Sequence, residues 1–144
     1  MNWLSFRKSL RKLKHERDKE NDSLSRLIED ARKKGGAEAA NETYQAESVD
    51  LNIIDDEIAN LITQRLIFKA KRMLLPIPPV TDKEGLWEWS HYINRWSLTT
   101  KGIAEIRSLI RQERKEKLEL VSHWATMLIG IIGAITGLIA VIMR

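Results

Sequence analysis

Apolar residues recur at helical spacing through the first half of the chain. Between Trp3 and Ala31 the steps alternate between three and four, through Phe6, Leu10, Leu13, Arg17, Glu20, Leu24 and Leu27. This is the spacing of a coiled-coil seam, here with a polar middle. The glycine pair Gly35 and Gly36 is predicted to end this helix, because glycine favours the residue after a helix.

A second stripe of the same spacing follows the glycine pair and stops at Pro76. It runs through Tyr44, Glu47, Leu51, Ile54, Ile58, Leu61, Arg65 and Phe68. Two helices of similar length joined by a short loop predict an antiparallel, coiled-coil-like hairpin over residues 1–75. Antiparallel pairing would place the polar middle of the first helix beside the apolar Ile54 and Ile58. Because polar and apolar layers pack poorly together, the apolar stripe of the second helix is predicted to contact a further element or subunit as well.

Prolines then interrupt the helical pattern at Pro76, Pro78 and Pro79, which predict a stiff, extended connector. Beyond Gly85 the positions Leu86, Trp89, Ile93 and Trp96 again fit one helical face. Residues 76–99 are therefore predicted to form a connector and a short Trp-rich helix. Next, Thr99 is the expected N-cap of a long helix, whose residues 100–120 form a charged juxtamembrane stretch with Glu113 and Lys117 as an i,i+4 pair.

Residues 121–143 contain no charge, and a helix of about 23 residues rises about 34 Å, enough to cross a bilayer core of roughly 30 Å. They are predicted to form a single transmembrane anchor that continues the long helix, and only Arg144 follows, as in a tail-anchored protein. The fold class expected is all-α. Four basic residues precede the anchor, which predicts a cytoplasmic N-terminal region: Arg111, Arg114, Lys115 and Lys117. A bacterial inner membrane is the expected location, and an organelle membrane fits the same physics.

Small residues form a stripe within the predicted anchor, at Thr126, Gly130, Gly133, Gly137 and Ala140. Small side chains allow two helix backbones to approach closely in lipid. The stripe predicts lateral association, either as a homo-oligomer or with another membrane protein.

Large aromatic residues cluster before the long helix and at the start of the anchor: Trp87, Trp89, Tyr92, Trp96 and Trp124. Three interpretations are open. The residues could cap a small core where the hairpin meets the anchor helix, form an interfacial belt, or bind a protein partner.

Charge is unevenly distributed, although 24 Lys and Arg against 20 Asp and Glu give a net charge of only +4. The start of the chain is basic, at Arg7, Lys8, Arg11, Lys12 and Lys14, so it could lie in the plane of an anionic membrane. The continuity of the first seam favours the hairpin instead. Interspersed acidic residues and the lack of a reading motif argue against nucleic acid.

Catalytic chemistry has little support in the sequence. Glu88 and His91 have ExxH spacing, but a carboxylate-bridged metal pair needs two such motifs and only one is present. Asp55, Asp56 and Glu57 are interpreted as a solvated face. Cysteine is absent, which excludes disulfides and thiol chemistry. No catalytic residue, metal or cofactor is predicted.

The function expected is that of a non-enzymatic, oligomeric adaptor or scaffold, anchored in lipid, that presents a helical cytoplasmic surface to a protein partner. The alternative is a small membrane-perturbing effector of the toxin or defence type, whose oligomer disrupts the bilayer.

Overall fold

The computed structural model describes residues 2–81 and 84–142, and these residues are mostly helical. In chain order the elements are helix α1 (Trp3–Arg72), strand β1 (Trp87–Ser90), strand β2 (Arg95–Leu98) and helix α2 (Thr100–Ile142). The helical content agrees with the predicted all-α class in outline, and a small antiparallel strand pair is added to the two helices.

Gly36 divides α1 into two helical segments, residues 3–35 and 37–72. Its φ of 74° and ψ of −157° lie outside the helical region. A positive φ costs glycine little because it has no Cβ, so the chain can change direction here. The break falls at the glycine pair that the sequence predicts to end the first helix.

Side chains from the two segments of α1 contact each other. Arg17 Nε donates a hydrogen bond of 2.5 Å to Asp55 Oδ1, and both residues lie 19 positions from Gly36. The Arg65 guanidinium stands 5.8 Å from the centre of the Phe6 ring. The hydrogen bond to Asp55, and then its charge, raise the pKa of Arg17 above the ordinary value. Both ends of the ion pair are nearly half exposed, so it fixes the register more than it adds stability.

The Trp-rich segment is an antiparallel strand pair, so the prediction of a short helix is wrong. Trp89 lies opposite Trp96, and Trp87 lies opposite Leu98. The sequence from Trp87 alternates in the manner of a strand, and aromatic residues favour that conformation. Asn94, with a φ of 52°, closes the turn in the left-handed conformation that asparagine tolerates.

Thr99 caps α2, as the sequence predicts. Its Oγ1 accepts a hydrogen bond of 3.2 Å from the Gly102 N–H, and its carbonyl oxygen accepts one of 2.8 Å from the Ile103 N–H. A side-chain oxygen at this position satisfies an amide that has no partner within the helix.

The chain divides into two compact units, Met1–Ile106 and Arg107–Arg144. In the first unit, the side chains of Leu86 and Ile106 are the largest that are fully buried. Gly102 lies against Leu86, so the core of this unit gathers where α2 starts beside the strand pair.

Among residues 2–81 and 84–142, no helix meets the length and hydropathy needed to cross a membrane. Of the predicted anchor, Met143 lies outside the described residues.

Replacing Gly102 with alanine is expected to destabilise the first unit. A Cβ at this position would overlap the carbonyl oxygen of Leu86 and lie 2.9 Å from Leu98 Cδ2. Overpacking against backbone costs about 1–3 kcal/mol. Urea unfolding followed by tryptophan fluorescence measures this loss. The Gly130→Ala variant is the control, since no described atom lies within 4 Å of its added carbon, and an equal effect of both variants would contradict the prediction.

Candidate functional site

Two side-chain hydrogen bonds attach the strand pair to α1. The Leu98 N–H donates to Thr63 Oγ1 at 2.8 Å, in a buried position. Ser90 Oγ donates to Asp56 Oδ2 at 2.5 Å and accepts a bond of 3.2 Å from the Ile93 N–H. Ser90 therefore links the turn between the strands to α1, and these bonds orient the strands relative to α1.

A second group of contacts holds the open end of the strand pair. Trp87 Nε1 donates to the Pro78 carbonyl at 3.1 Å, which ties the proline connector to β1. The Thr99 N–H donates to the Leu86 carbonyl at 3.0 Å, and Thr99 Oγ1 donates to the Gly85 carbonyl at 2.8 Å. These bonds extend the strand pairing to the first turn of α2.

The strand pair presents three aromatic side chains, Trp89, Tyr92 and Trp96, which we call the aromatic surface. Trp89 and Trp96 meet edge to face, with ring centres 5.3 Å apart and planes at 60°. Tyr92 is 52% exposed and Trp96 is 45% exposed, whereas Trp89 is half-buried. Strand pairing places the two tryptophans opposite each other, so their rings share one face of the strand pair.

The remaining predicted aromatic, Trp124, is exposed on α2 in the second unit. Trp87 is half-buried beside the connector. The structure thus packs Trp89 against Trp96, places Tyr92 in the turn between their strands and leaves Trp124 on α2.

The predicted association stripe lies along α2. Thr126 Oγ1 donates to the Ser122 carbonyl at 3.0 Å. At Gly130 and Gly133 no described atom lies within 4 Å of an added Cβ, so both sites are open in this chain. Gly137 and Ala140 belong to α2, and their surroundings lie outside the described part of the structure.

The basic residues that are predicted to set the topology are all exposed on α2, at Arg111, Arg114, Lys115 and Lys117. Lys117 Nζ lies 3.0 Å from Glu113 Oε1, which confirms the predicted i,i+4 pair. Lys115 Nζ lies 3.7 Å from Glu119 Oε1. These pairs support a helix that is polar on all sides.

The ExxH pair does not share a helical face, because Glu88 lies in β1 and His91 lies in the turn that follows it. Within the described residues, no three His, Asp or Glu side chains come close enough to hold a metal ion.

Sequence reasoning missed the residues that attach the strands to α1. Asp55 and Asp56 were interpreted as solvated, yet each carboxylate accepts a hydrogen bond from a distant part of the chain. Thr63 interrupts an apolar stretch of α1, and this hydroxyl among apolar neighbours is the one signal that could have indicated a partner. Ser90 gives no comparable signal.

No protein-family model matches the chain, and no curated protein or solved structure matches it either.

Replacing Thr63 with valine is expected to lower the free energy of unfolding by about 1–3 kcal/mol, because the shape is kept while a buried N–H at Leu98 loses its acceptor. The matched control is Thr43→Val. Thr43 Oγ1 donates only to the Ala39 carbonyl of its own helix, so its loss leaves no buried donor unpaired. Urea unfolding of both variants makes the comparison, and equal losses would contradict the role given to Thr63.

Proposed function

We propose that this protein is a membrane-anchored, non-enzymatic helical adaptor, in which α2 holds the chain in a bilayer and the first unit presents a surface to a protein partner. The observation that carries the proposal is the exposure of large apolar side chains along α2. Their exposed fractions range from 54% to 71% at Leu118, Leu120, Val121, Trp124, Met127, Leu128, Ile129, Ile131, Ile132 and Ile135.

Between Met127 and Ile135 no residue is polar, whereas Glu119, Ser122, His123 and Thr126 form one polar strip nearer the start of the stretch. Met127, Leu128 and Ile129 are consecutive, and so are Ile131 and Ile132, so apolar groups point in several directions around the axis. A helix that is apolar all round is normally buried in a protein core or in lipid. Isolated exposed apolar residues are common on soluble proteins, but a continuous apolar surface of this kind marks an interaction site. A bilayer is the neighbour that covers every side.

The polar groups of this stretch are compatible with lipid. Thr126 Oγ1 donates to the Ser122 carbonyl, and Thr136 Oγ1 donates to the Ile132 carbonyl at 2.7 Å. Hydroxyl groups that bond within their own helix need no water, which is the requirement for entering hydrocarbon. The exposed basic residues before the stretch favour a cytoplasmic first unit, as in a bacterial inner membrane.

The aromatic surface is the proposed site for the protein partner. Tyrosine and tryptophan dominate binding hot spots because they contribute large rigid areas with few rotatable bonds. Tyr92 and Trp96 are exposed, and Trp89 supports Trp96 from the neighbouring strand.

The contacts across Gly36 support an antiparallel arrangement of the two segments of α1. In this arrangement the segments form the rigid body to which the strand pair is attached.

Replacing Gly130 and Gly133 with leucine is expected to dissociate an oligomer formed through α2. Both positions are open within the chain, so the larger side chains disturb only packing against another molecule. The mass of the complex in lipid nanodiscs or mild detergent measures this, against the chain mass of 16.7 kDa. The wild type is expected at a multiple of that mass and the double variant at the single mass.

The control enlarges side chains away from the stripe, with Leu128→Phe and Ile135→Phe, and should keep the wild-type mass. A monomeric wild type would contradict self-association. Collapse of membrane potential on expression would instead favour the membrane-perturbing alternative.

Cross-linking Arg17→Cys with Asp55→Cys is expected to join the two segments of α1 within one chain, since their native side chains are in contact. The chain has no other cysteine, so a short bismaleimide reports only this pair. The control pairs Arg17→Cys with Tyr44→Cys, displaced by about 16 Å along the helix. Cross-linked dimers in place of monomers would show that the segments are exchanged between chains.

A further inference from the structure

The start of the chain is basic and has no acidic residue. Residues 1–15 hold five Lys or Arg and no Asp or Glu, whereas the rest of the chain holds 19 against 20. Residues 1–15 therefore carry a local formal charge of +5, which attracts anions to the start of the chain.

The structure places most of these cations on one face of α1, which we call the basic face. Trp3, Leu4, Arg7, Lys8, Arg11, Lys12 and His15 line an open groove of about 580 Å³. On the other side of the helix, Phe6, Leu10 and Leu13 are half-buried. The apolar side of this segment is thus used within the fold, whereas Arg7, Lys8, Arg11 and Lys12 are exposed.

Two apolar side chains stand at the start of the basic face. Trp3 is 50% exposed and Leu4 is 66% exposed. The Arg7 guanidinium lies 4.8 Å from the centre of the Trp3 ring, so one face of the indole is already covered. A tryptophan beside cations and an exposed leucine is the combination that favours the headgroup level of a membrane.

We propose that the basic face of α1 docks on an anionic lipid surface, with Trp3 and Leu4 entering the headgroup region and the cations contacting lipid phosphates. Charge complementarity selects the occupant, because each Lys or Arg near an anionic bilayer strengthens binding by roughly fivefold. Nucleic acid would use the same charge, but it would not use Leu4, and a base would have to displace Arg7 to stack on that face of Trp3.

This docking does not depend on the insertion of α2, and the test separates the two. Ser5→Cys is the single thiol of the chain and carries an environment-sensitive fluorophore. The full chain is reconstituted in nanodiscs of phosphatidylcholine, with or without phosphatidylglycerol. The probe is expected to report an apolar environment only with phosphatidylglycerol, and added salt should reverse the change.

The combined change Lys8→Ser and Lys12→Ser is expected to lower the docking equilibrium constant roughly 25-fold. The matched control, Arg32→Ser and Lys34→Ser, removes the same charge from exposed positions elsewhere on α1 and should leave docking unchanged. Trp3→Ala should weaken docking without altering its dependence on salt.

Equal probe signals on the two lipid compositions would overturn the proposal, and so would a DNA duplex that shifts the probe where phosphatidylglycerol does not. If α2 fails to insert, the chain is absent from the discs. Flotation of the same labelled chain with vesicles of both compositions then makes the comparison, with co-flotation on phosphatidylglycerol expected and its absence decisive against docking.

Discussion

The close approach of Gly102 to the Leu86 carbonyl is the constraint on which the first unit depends. It allows the first turn of α2 to lie against the backbone before β1, where no larger residue would fit. Thr99 is bonded to both elements. Its N–H and Oγ1 donate to the carbonyl oxygens of Leu86 and Gly85. Its Oγ1 and carbonyl oxygen accept from the N–H groups of Gly102 and Ile103 in α2. With a core this small, one glycine and one threonine determine how strand and helix meet.

The small size of the core also explains why polar groups attach the strand pair to α1. The pair has only four residues in each strand, and an isolated two-stranded sheet is marginal in water. Thr63 supplies an acceptor to the outer N–H of Leu98, and Asp56 accepts from Ser90. These bonds give direction, which apolar contact alone does not, and they hold Trp96 with its ring exposed while Ser97 and Leu98 are buried.

Local signals in the sequence were sufficient for the helices and insufficient for the strands. The Thr99 cap and the break at Gly36 each depend on residues next to them, so they could be predicted. The segment from Leu86 to Trp96 satisfies the helical spacing and the alternation of strands together, which short apolar runs cannot separate. The strands are attached to α1 through Thr63 and Asp56, more than 30 residues away in the sequence, and the local pattern around Thr63 does not identify which distant segment it contacts. The sequence likewise did not show what the polar residues in the middle of the first helix contact; in the structure Arg17 forms an ion pair with Asp55.

The side chains of α2 change from polar to mostly apolar along the helix. Between Arg111 and Lys117 the helix is polar on all sides, and its Glu113 to Lys117 pair is of the kind that stabilises a helix in water without neighbours. Beyond Leu120 such pairs stop, large apolar side chains predominate, and the Thr126 hydroxyl donates a hydrogen bond to the Ser122 carbonyl of its own helix. The backbone conformation is continuous across this change, so the two parts of α2 differ in their side chains alone. In the proposed arrangement, water surrounds the first part of α2 and lipid surrounds the second, so that one continuous helix serves as both a solvated helix and an anchor.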